Sequence, residues 1–186
     1  MQKMLSYVRR AVDQYHMIEE GDVIAVGVSG GKDSLALLSA LAGLRRFYPK
    51  KFEVKAITLE MGYDEMDFTP VAALCQKLGV EFITEQTDIK TVVFDIRKEE
   101  NPCSLCANMR RGALNSTAKA HGCNKVALGH HFDDVVETVL MSLLYEGRFS
   151  CFLPVTKLIS GSNMASGSLR STKPRSWGML RLKMMR

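Results

Sequence analysis

The sequence has no apolar run that approaches the roughly 18 residues needed to cross a bilayer. Its first twenty residues mix charged and apolar side chains, so they also lack the uninterrupted apolar segment of a secretory signal peptide. These two absences argue against a membrane protein and against secretion, and we expect a cytoplasmic location. The composition, 46% hydrophobic and 24% charged over 186 residues, is instead that of a soluble globular domain with a substantial core.

Acidic residues are missing from positions 157–186, which contain seven lysines and arginines. The first 156 residues hold the remaining 18 basic side chains against 20 acidic ones, about −2 in net charge, so the overall +5 comes from the tail. A basic pI of this origin does not by itself indicate nucleic-acid binding by the folded part. The tail also begins with a Ser- and Gly-rich stretch and shows no helix or strand period. We predict a folded domain over 1–156 and a poorly ordered basic tail over 157–186.

Apolar periodicity predicts helices and strands in alternation along the first 156 residues. The predicted elements are a helix over 1–18, a strand over 22–28, a helix over 35–46, a strand over 52–59, a helix over 69–78, a strand over 81–85, a helix over 104–121, a strand over 125–128 and a helix over 133–145. The strands are short and nearly continuously apolar, which is typical of strands buried on both faces of a parallel sheet. We therefore predict a doubly wound parallel α/β sheet with helices on both faces.

A glycine-rich loop, Ser29-Gly30-Gly31-Lys32-Asp33-Ser34, joins the first predicted strand to the helix after it. Glycines let the backbone approach a ligand, and the N–H groups at the start of a helix favour phosphate. Lys32 supplies a positive charge, Ser34 a hydroxyl, and Asp33 a carboxylate that can orient these groups or help hold Mg²⁺. The loop is not a Walker A motif, because Val26 stands where that motif has glycine and Asp33 stands where it has Ser or Thr.

A cysteine pair, Cys103-Ser104-Leu105-Cys106, precedes Met109-Arg110-Arg111-Gly112. The C-x-x-C spacing alone suits a thiol–disulfide pair, half of a zinc site, part of an iron–sulfur site, or two structural cysteines. A zinc site would need a second Cys/His pair at short spacing, and the sequence offers none. The five cysteines form an odd set in an apparently intracellular chain, which favours reduced thiols or sulfur chemistry over disulfides.

The segment Gly129–Thr138 begins where the strand over 125–128 ends. Ligands bind at the carboxyl ends of parallel strands, so Gly129 is expected close to a nucleotide and His130 is a candidate lining residue. Asp134 has two interpretations: it holds Mg²⁺ and the nucleotide, or it caps the following helix and interacts with the helix dipole. His131 is a weaker site candidate than His130.

Together these three motifs resemble the tRNA 2-thiocytidine synthetase (TtcA-type) family, a branch of the PP-loop N-type ATP pyrophosphatases. The resemblance covers about residues 1–156 and implies an adenine nucleotide α-hydrolase-like fold. It implies that ATP activates the C2 oxygen of a tRNA base as an adenylate, with release of pyrophosphate, and that sulfur then replaces the oxygen. It further implies ATP, Mg²⁺ and a [4Fe-4S] cluster held by three cysteines as cofactors, and tRNA and a cysteine desulfurase as partners. Dimerisation is common in that family.

The resemblance assigns roles to individual positions of this sequence. The catalytic candidates are Asp33, Cys103 and Cys106. The two cysteines match cluster ligands, and the implied nucleotide-binding residues are Ser29, Gly30, Gly31, Lys32, Asp33, Ser34, Arg110, Gly129, His130 and Asp134.

The sequence departs from the family pattern after the Phe152–Val155 segment. The family's third cluster cysteine lies beyond it, and no cysteine follows Cys151 here, so Cys75, Cys123 or Cys151 would have to substitute. The tail is either an altered or artificial end or a basic RNA-binding arm. Two alternatives to a 2-thiocytidine synthetase stay open: a PP-loop adenylating enzyme for another tRNA base or a small molecule, and an ATP-binding remnant without activity.

Overall fold

A computed structural model of the chain describes residues 2–62, 67–97, 102–158 and 181–185. Its helices and strands are α1 (Gln2–Gln14), β1 (Asp22–Gly27), α2 (Lys32–Leu44), β2 (Phe52–Glu60), α3 (Thr69–Leu78), β3 (Glu81–Gln86), a π-helix (Thr91–Arg97), α4 (Pro102–Ala120), β4 (Lys125–Leu128), α5 (Phe132–Glu146), β5 (Val155–Leu158) and β6 (Arg181–Met185). Within these ranges no helix is both long and apolar enough to cross a membrane.

The strands form one sheet in the order β3-β2-β1-β4-β6-β5. The pairs β2–β3, β1–β2 and β1–β4 are parallel, whereas β6 runs antiparallel to β4 and pairs in parallel with β5. The chain proceeds outward from β1 through β2 to β3, and then crosses back to place β4 on the other side of β1. This reversal confirms the predicted doubly wound α/β sheet for the four parallel strands.

Two apolar clusters cover the two faces of the sheet. On one face, α1, α2 and α3 pack against inward side chains of β1 and β2 such as Ile24 and Val54. On the other face, Leu114 and Ala118 of α4 pack against Ala25 and other residues of β1 to β4. Side chains that alternate along a strand point to opposite faces, so a strand covered on both sides must be apolar throughout. That requirement explains the continuous apolar runs from which the strands were predicted.

Several element boundaries differ from the sequence predictions. The first helix ends at Gln14 rather than 18, because His16 has a left-handed φ of 49° that a helix cannot continue through. The π-helix over Thr91–Arg97 was not predicted. The tail, which shows no strand period, contributes β6. Residues 159–180 lie outside the described residues, so the domain boundary at 156 and the poorly ordered tail stay predictions.

A buried ion pair joins the amino ends of β1 and β4. The Lys125 ammonium lies 2.5 Å from an Asp22 carboxylate oxygen and also donates to the Met17 carbonyl at 2.9 Å. Asn124 donates to the other Asp22 oxygen at 2.8 Å and accepts from the Val23 N–H at 2.9 Å. The pair is satisfied on both sides, as a buried charge requires. It fixes the two strands whose opposite ends form the cleft described next.

Candidate functional site

The carboxyl ends of β1 and β4, where the strand order reverses, open onto a cleft of about 570 Å³. The phosphate loop after β1 and the Gly129-His130 turn after β4 both line it, and the face of α4 closes one side. The sheet topology therefore brings together the phosphate loop, the Gly129-His130 turn and the arginines that follow the cysteine pair, which lie as far as 100 residues apart in sequence. Crevices of this kind, outside the strand ends at a reversal point, are where open α/β sheets bind ligands.

The phosphate loop is held in shape by its own serines. The Ser34 hydroxyl donates to the Gly31 carbonyl at 2.9 Å and accepts from the Ser29 N–H at 3.3 Å. Gly30 has a φ of +79°, which a residue with a Cβ rarely adopts. Gly31 is the N-cap of α2 and has no side chain with which to cap it. The first-turn N–H groups of α2 are thus left for an anionic ligand, beside the exposed Lys32.

Gly129 is required by contact with the phosphate loop. A Cβ added at this position would lie 2.9 Å from the carbonyl carbon and oxygen of Asp33 and 3.1 Å from the Ser34 nitrogen. All three are backbone atoms, which cannot rotate away as a flexible side chain can. Gly129 lines the cleft, and its absent side chain also lets the β4 turn pack directly on the start of α2.

Thr58 of β2 supports the loop and was missed by the sequence interpretation. Its hydroxyl donates to the Val28 carbonyl at 2.9 Å, and the Val28 N–H donates to the Ile57 carbonyl at 2.8 Å. These two bonds extend the pairing of β2 past the end of β1, to the residue that precedes Ser29. A single hydroxyl between the apolar Ile57 and Leu59 of a buried strand was the available signal.

One face of α4 connects the cysteine pair to the cleft. Arg110, Arg111 and Asn115 line the cleft, and Cys106 lies one turn before Arg110 on the same side of the helix. Cys103 lies a further three residues toward the helix start, so the two thiols are neighbours on the helix surface. Cys103 is exposed and Cys106 is partly exposed. Neither cysteine lines the cleft itself, although Ala107, which directly follows Cys106, does.

The three cysteines that could serve as a third cluster ligand lie in different environments. Burial raises the pKa of the Cys75 thiol, which packs in the core, and of the Cys123 thiol. Cys123 follows the far end of α4, and the 14 residue-to-residue steps from Cys106 to Ala120 span about 21 Å of helix. Cys151 is partly exposed and contacts α5, with its thiol 3.7 Å from the Val135 carbonyl oxygen. In the part of the chain that the structure describes, no three His, Cys, Asp or Glu side chains form a metal-binding group.

His130, His131 and Asp134 separate into two environments. His130 lines the cleft, and its ring packs against Phe152 with a centroid separation of 4.9 Å. His131 is the N-cap of α5: its Nδ1 accepts from the Asp134 N–H at 3.3 Å, and the Asp134 carboxylate accepts from the His131 N–H at 2.6 Å. This reciprocal capping box occupies the carboxylate that was also a candidate for Mg²⁺.

Comparison with protein-family models matches residues 4–155 to the PP-loop domain family. The chain is similar to tRNA-cytidine(32) 2-sulfurtransferase of Geobacter metallireducens, with 42% identity over 153 residues that cover 82% of this chain and 60% of the relative. It is also 42% identical to the protein of that name from Geotalea daltonii, over 79% of this chain and 59% of the relative. The chain thus spans about three fifths of the length of these curated relatives.

Among solved structures, the fold is similar to that of a U34-tRNA thiolase from Methanococcus maripaludis, which contains a [4Fe-4S] cluster. The TM-score is 0.68 at 27% sequence identity, and the match covers 79% of this chain and 50% of the thiolase. A match over 79% of the chain is far longer than the phosphate loop, so the two proteins share the fold and not only the loop.

Proposed function

The chain belongs to the PP-loop domain family, and we propose that it is the ATP-binding, adenylating part of a tRNA 2-thiocytidine-type sulfurtransferase. The observation that carries this proposal is the shared face of α4, which places Cys106 one turn from Arg110 at the mouth of the phosphate-loop cleft. A plain ATP-binding domain has no need of two accessible thiols beside its cleft. The similarity to the named tRNA sulfurtransferases supports a cytosine of tRNA as the base that accepts sulfur.

The phosphate loop provides the groups that ATP requires. The free N–H groups of α2 and the Lys32 ammonium suit the phosphates, and Arg110 faces them from α4. The Ser34 hydroxyl, which donates to the Gly31 carbonyl, holds the loop in shape. Beyond the loop, Leu59, Met61 and Phe68 give the cleft an apolar wall that suits the adenosine. For Mg²⁺ we propose Asp33, which lines the cleft, rather than Asp134, which is engaged in capping α5.

The reaction proceeds in two displacements. The C2 oxygen of the cytosine forms a bond to the α-phosphorus of ATP, and the bond from that phosphorus to the bridging oxygen breaks to release pyrophosphate. Hydrosulfide then adds to C2 and gives its proton to solvent, the bond from C2 to oxygen breaks, and the former C2 oxygen leaves with AMP. Sulfur that comes from a desulfurase persulfide must first be reduced to this level by two electrons from a thiol reductant. In the first step the loop and Arg110 stabilise the charge that moves onto pyrophosphate.

Cys103 and Cys106 suit two ligand positions of an iron–sulfur cluster. They are accessible, adjacent on one helix face, and outside the apolar core that holds Cys75 and Cys123. A cluster bound here would supply sulfur to the activated base. Besides this pair, Cys151 is the one partly exposed thiol among the described cysteines, so we propose it as the third ligand.

We propose tRNA as the macromolecular substrate and a cysteine desulfurase as the sulfur donor, in the cytoplasm. A homodimer is part of the same proposal. It is supported by the outer face of α5, where Leu140, Leu144 and Tyr145 are exposed.

Uridine 34 is a second candidate for the modified base. The similarity to a U34-tRNA thiolase favours it, because that protein shares the fold over 79% of this chain. Mass spectrometry of tRNA nucleosides from a deletion strain separates the two acceptors. Loss of 2-thiocytidine is expected; loss of a thiolated uridine with 2-thiocytidine intact would replace the proposed acceptor.

The adenylation step is tested by ATP–pyrophosphate exchange in the presence of tRNA. Lys32→Ala should lower the exchange rate by about 100-fold, because it removes a charge from the developing pyrophosphate. Lys3→Ala, an exposed change on α1, is the matched control and should exchange at the wild-type rate. If the wild-type chain catalyses no exchange, it binds ATP without carrying out the adenylation step.

The cluster is tested separately by iron and sulfide content after anaerobic reconstitution. Cys103→Ser and Cys106→Ser should each lose most of the iron and the visible absorption. Cys75→Ser, a change at a buried core thiol, serves as the control and should retain both. Equal iron content in all three variants would remove the cluster from the proposal and leave the adenylation step intact.

A further inference from the structure

Asn115 is an uncharged polar side chain of the cleft wall whose hydrogen-bonding groups remain available. It lies on α4 and is partly buried where it faces the cleft. The hydroxyls of Ser34 and Thr58, which also line the cleft, are committed to backbone carbonyls at 2.9 Å. Across the described residues, the Asn115 carboxamide has no such partner. Because the side chain is partly exposed, water can satisfy its amide when the cleft is empty, and a ligand that displaces this water must supply hydrogen bonds in its place.

The position of Asn115 is fixed by its neighbour in sequence. Leu114 packs with Val126 and Ile57 in the second apolar cluster, and its methyl groups fill the space above Gly27. This packing sets the rotation of α4 about its own axis. Asn115 is consequently held at the edge of the apolar contact, one turn beyond Arg111 and facing into the cleft.

The chemistry of the cleft around Asn115 suits the edge of a nucleobase. The loop and Arg110 take the phosphates, and the apolar Leu59 and Phe68 suit the faces of a purine ring. A purine bound in this way still has a polar edge that must be satisfied as it leaves water. A carboxamide offers one acceptor and two donors, the set that pairs with the 6-amino group and a ring nitrogen of adenine.

We propose that Asn115 hydrogen-bonds to the edge of the adenine base, with its carbonyl oxygen accepting from the 6-amino group and its amide nitrogen donating to a ring nitrogen. This inference rests on the proposed ATP-dependent function and adds the residue that contacts the base. Asn115 is a specificity residue of ATP binding and takes no part in the displacement at phosphorus.

The contact is tested by calorimetric binding of ATP and of purine riboside triphosphate, which lacks the 6-amino group, to the full chain without tRNA. The wild-type chain should bind ATP about fivefold more tightly than the analogue, the value of one neutral hydrogen bond. In Asn115→Leu, which keeps the size and removes the polar atoms, the ratio of the two dissociation constants should fall to about one. Asn115→Asp keeps the acceptor and should keep the preference for ATP.

The controls separate this inference from the proposed function. Ser116→Ala, at the exposed neighbouring position on α4, should bind both nucleotides as the wild-type chain does. Tripolyphosphate needs only the phosphate loop, so Asn115→Leu should bind it with wild-type affinity if the variant is folded. A preference for ATP that survives in Asn115→Leu overturns the role of Asn115 alone. A wild-type chain that binds tripolyphosphate but neither nucleotide overturns the proposed ATP-dependent function as well.

Discussion

At the scale of single residues, Gly129 shows how a glycine can be required by the space around it. The loop and the β4 turn touch backbone to backbone, so the fit depends on the absence of one carbon atom. Sequence alone places Gly129 at the end of a strand and suggests closeness to a ligand. The close contact with Asp33 and Ser34 becomes visible only when the two loops are seen side by side.

Gly129→Ala should displace the phosphate loop. Its Cβ would lie 2.9 Å from backbone atoms of Asp33, so either the β4 turn or the start of α2 must move. We expect ATP affinity to fall at least tenfold and the free energy of unfolding to fall by about 1–3 kcal/mol, as is usual for overpacking. The measurements are nucleotide titration and urea unfolding.

Gly112→Ala is the control for that substitution. Gly112 lies within α4 with nothing within 4 Å of an added Cβ, so alanine should stabilise the chain by up to about 1 kcal/mol through helix propensity. Wild-type nucleotide affinity in Gly129→Ala would show that the contact between the two loops is not needed for binding.

Tyr48 gives the stability a dependence on alkaline pH. Burial, together with the hydrogen bond that its hydroxyl donates to Asp13 at 2.8 Å, raises the pKa of Tyr48 to about 12. The unfolded chain has a tyrosine pKa of about 10. The folded state holds the proton more tightly, so this contribution is complete below pH 10 and is lost as the pH rises toward 12.

Urea unfolding at pH 9 and pH 11 should therefore show a smaller loss of stability in Tyr48→Phe than in the wild-type chain. Tyr7→Phe, a change at an exposed tyrosine of α1, should lose as much stability as the wild type. Equal losses in Tyr48→Phe and the wild type would mean that Tyr48 titrates alike in the folded and unfolded states.

At the scale of elements, the sheet is fixed at one end by charge and functions at the other. Asp22 and Lys125 join the amino ends of β1 and β4, and the carboxyl ends of the same strands form the cleft. The buried pair also holds the turn after α1 through the Met17 carbonyl. Stability and ligand binding are thus assigned to opposite ends of the same two strands.

Lys125→Met should lower the free energy of unfolding by about 3–5 kcal/mol, because it leaves the Asp22 carboxylate buried without its partner. Lys55→Met is the matched control. Lys55 pairs with Glu81 at 2.8 Å, but Glu81 is about half exposed, so this loss should be at most about 1 kcal/mol. Urea unfolding measures both. Similar losses in the two variants would place the Asp22–Lys125 pair among ordinary surface pairs.

At the scale of the whole molecule, α5 stands apart from the rest of the fold. Of its fifteen residues only Ser142 is buried, and Leu144 and Tyr145 are 77% and 82% exposed. The other helices bury an apolar stripe against the sheet. Within the described structure, α5 thus exposes several large apolar side chains, which is typical of a protein–protein interface.

Concentration-dependent self-association through α5 is the expected result in sedimentation velocity. Leu144→Glu should shift the equilibrium toward monomer by at least tenfold, since it places a charge in the apolar face. Phe47→Glu makes the same kind of change at an exposed residue that follows α2 and should leave the equilibrium unchanged. A wild-type chain that stays monomeric at all concentrations would argue against the homodimer.

The local patterns of the sequence determined most elements and all three motifs. Apolar periodicity located β1 to β4 to within one residue at each end, because a strand covered on both faces must be apolar along its whole length. Several helix ends, the π-helix, β5 and β6 were not found, since they depend on single backbone angles or on pairing with a distant strand. The loop Ser29–Ser34 was readable because its chemistry is contained within six consecutive residues.

What the sequence could not determine is which side chains meet. The support of the loop by Thr58, the backbone contact at Gly129 and the Asp22–Lys125 pair all join residues from different elements. These residues are far apart along the chain, and only the order of the strands in the sheet brings them together in space. Periodicity records which way a side chain must face, whereas the partner it finds there is decided by tertiary packing.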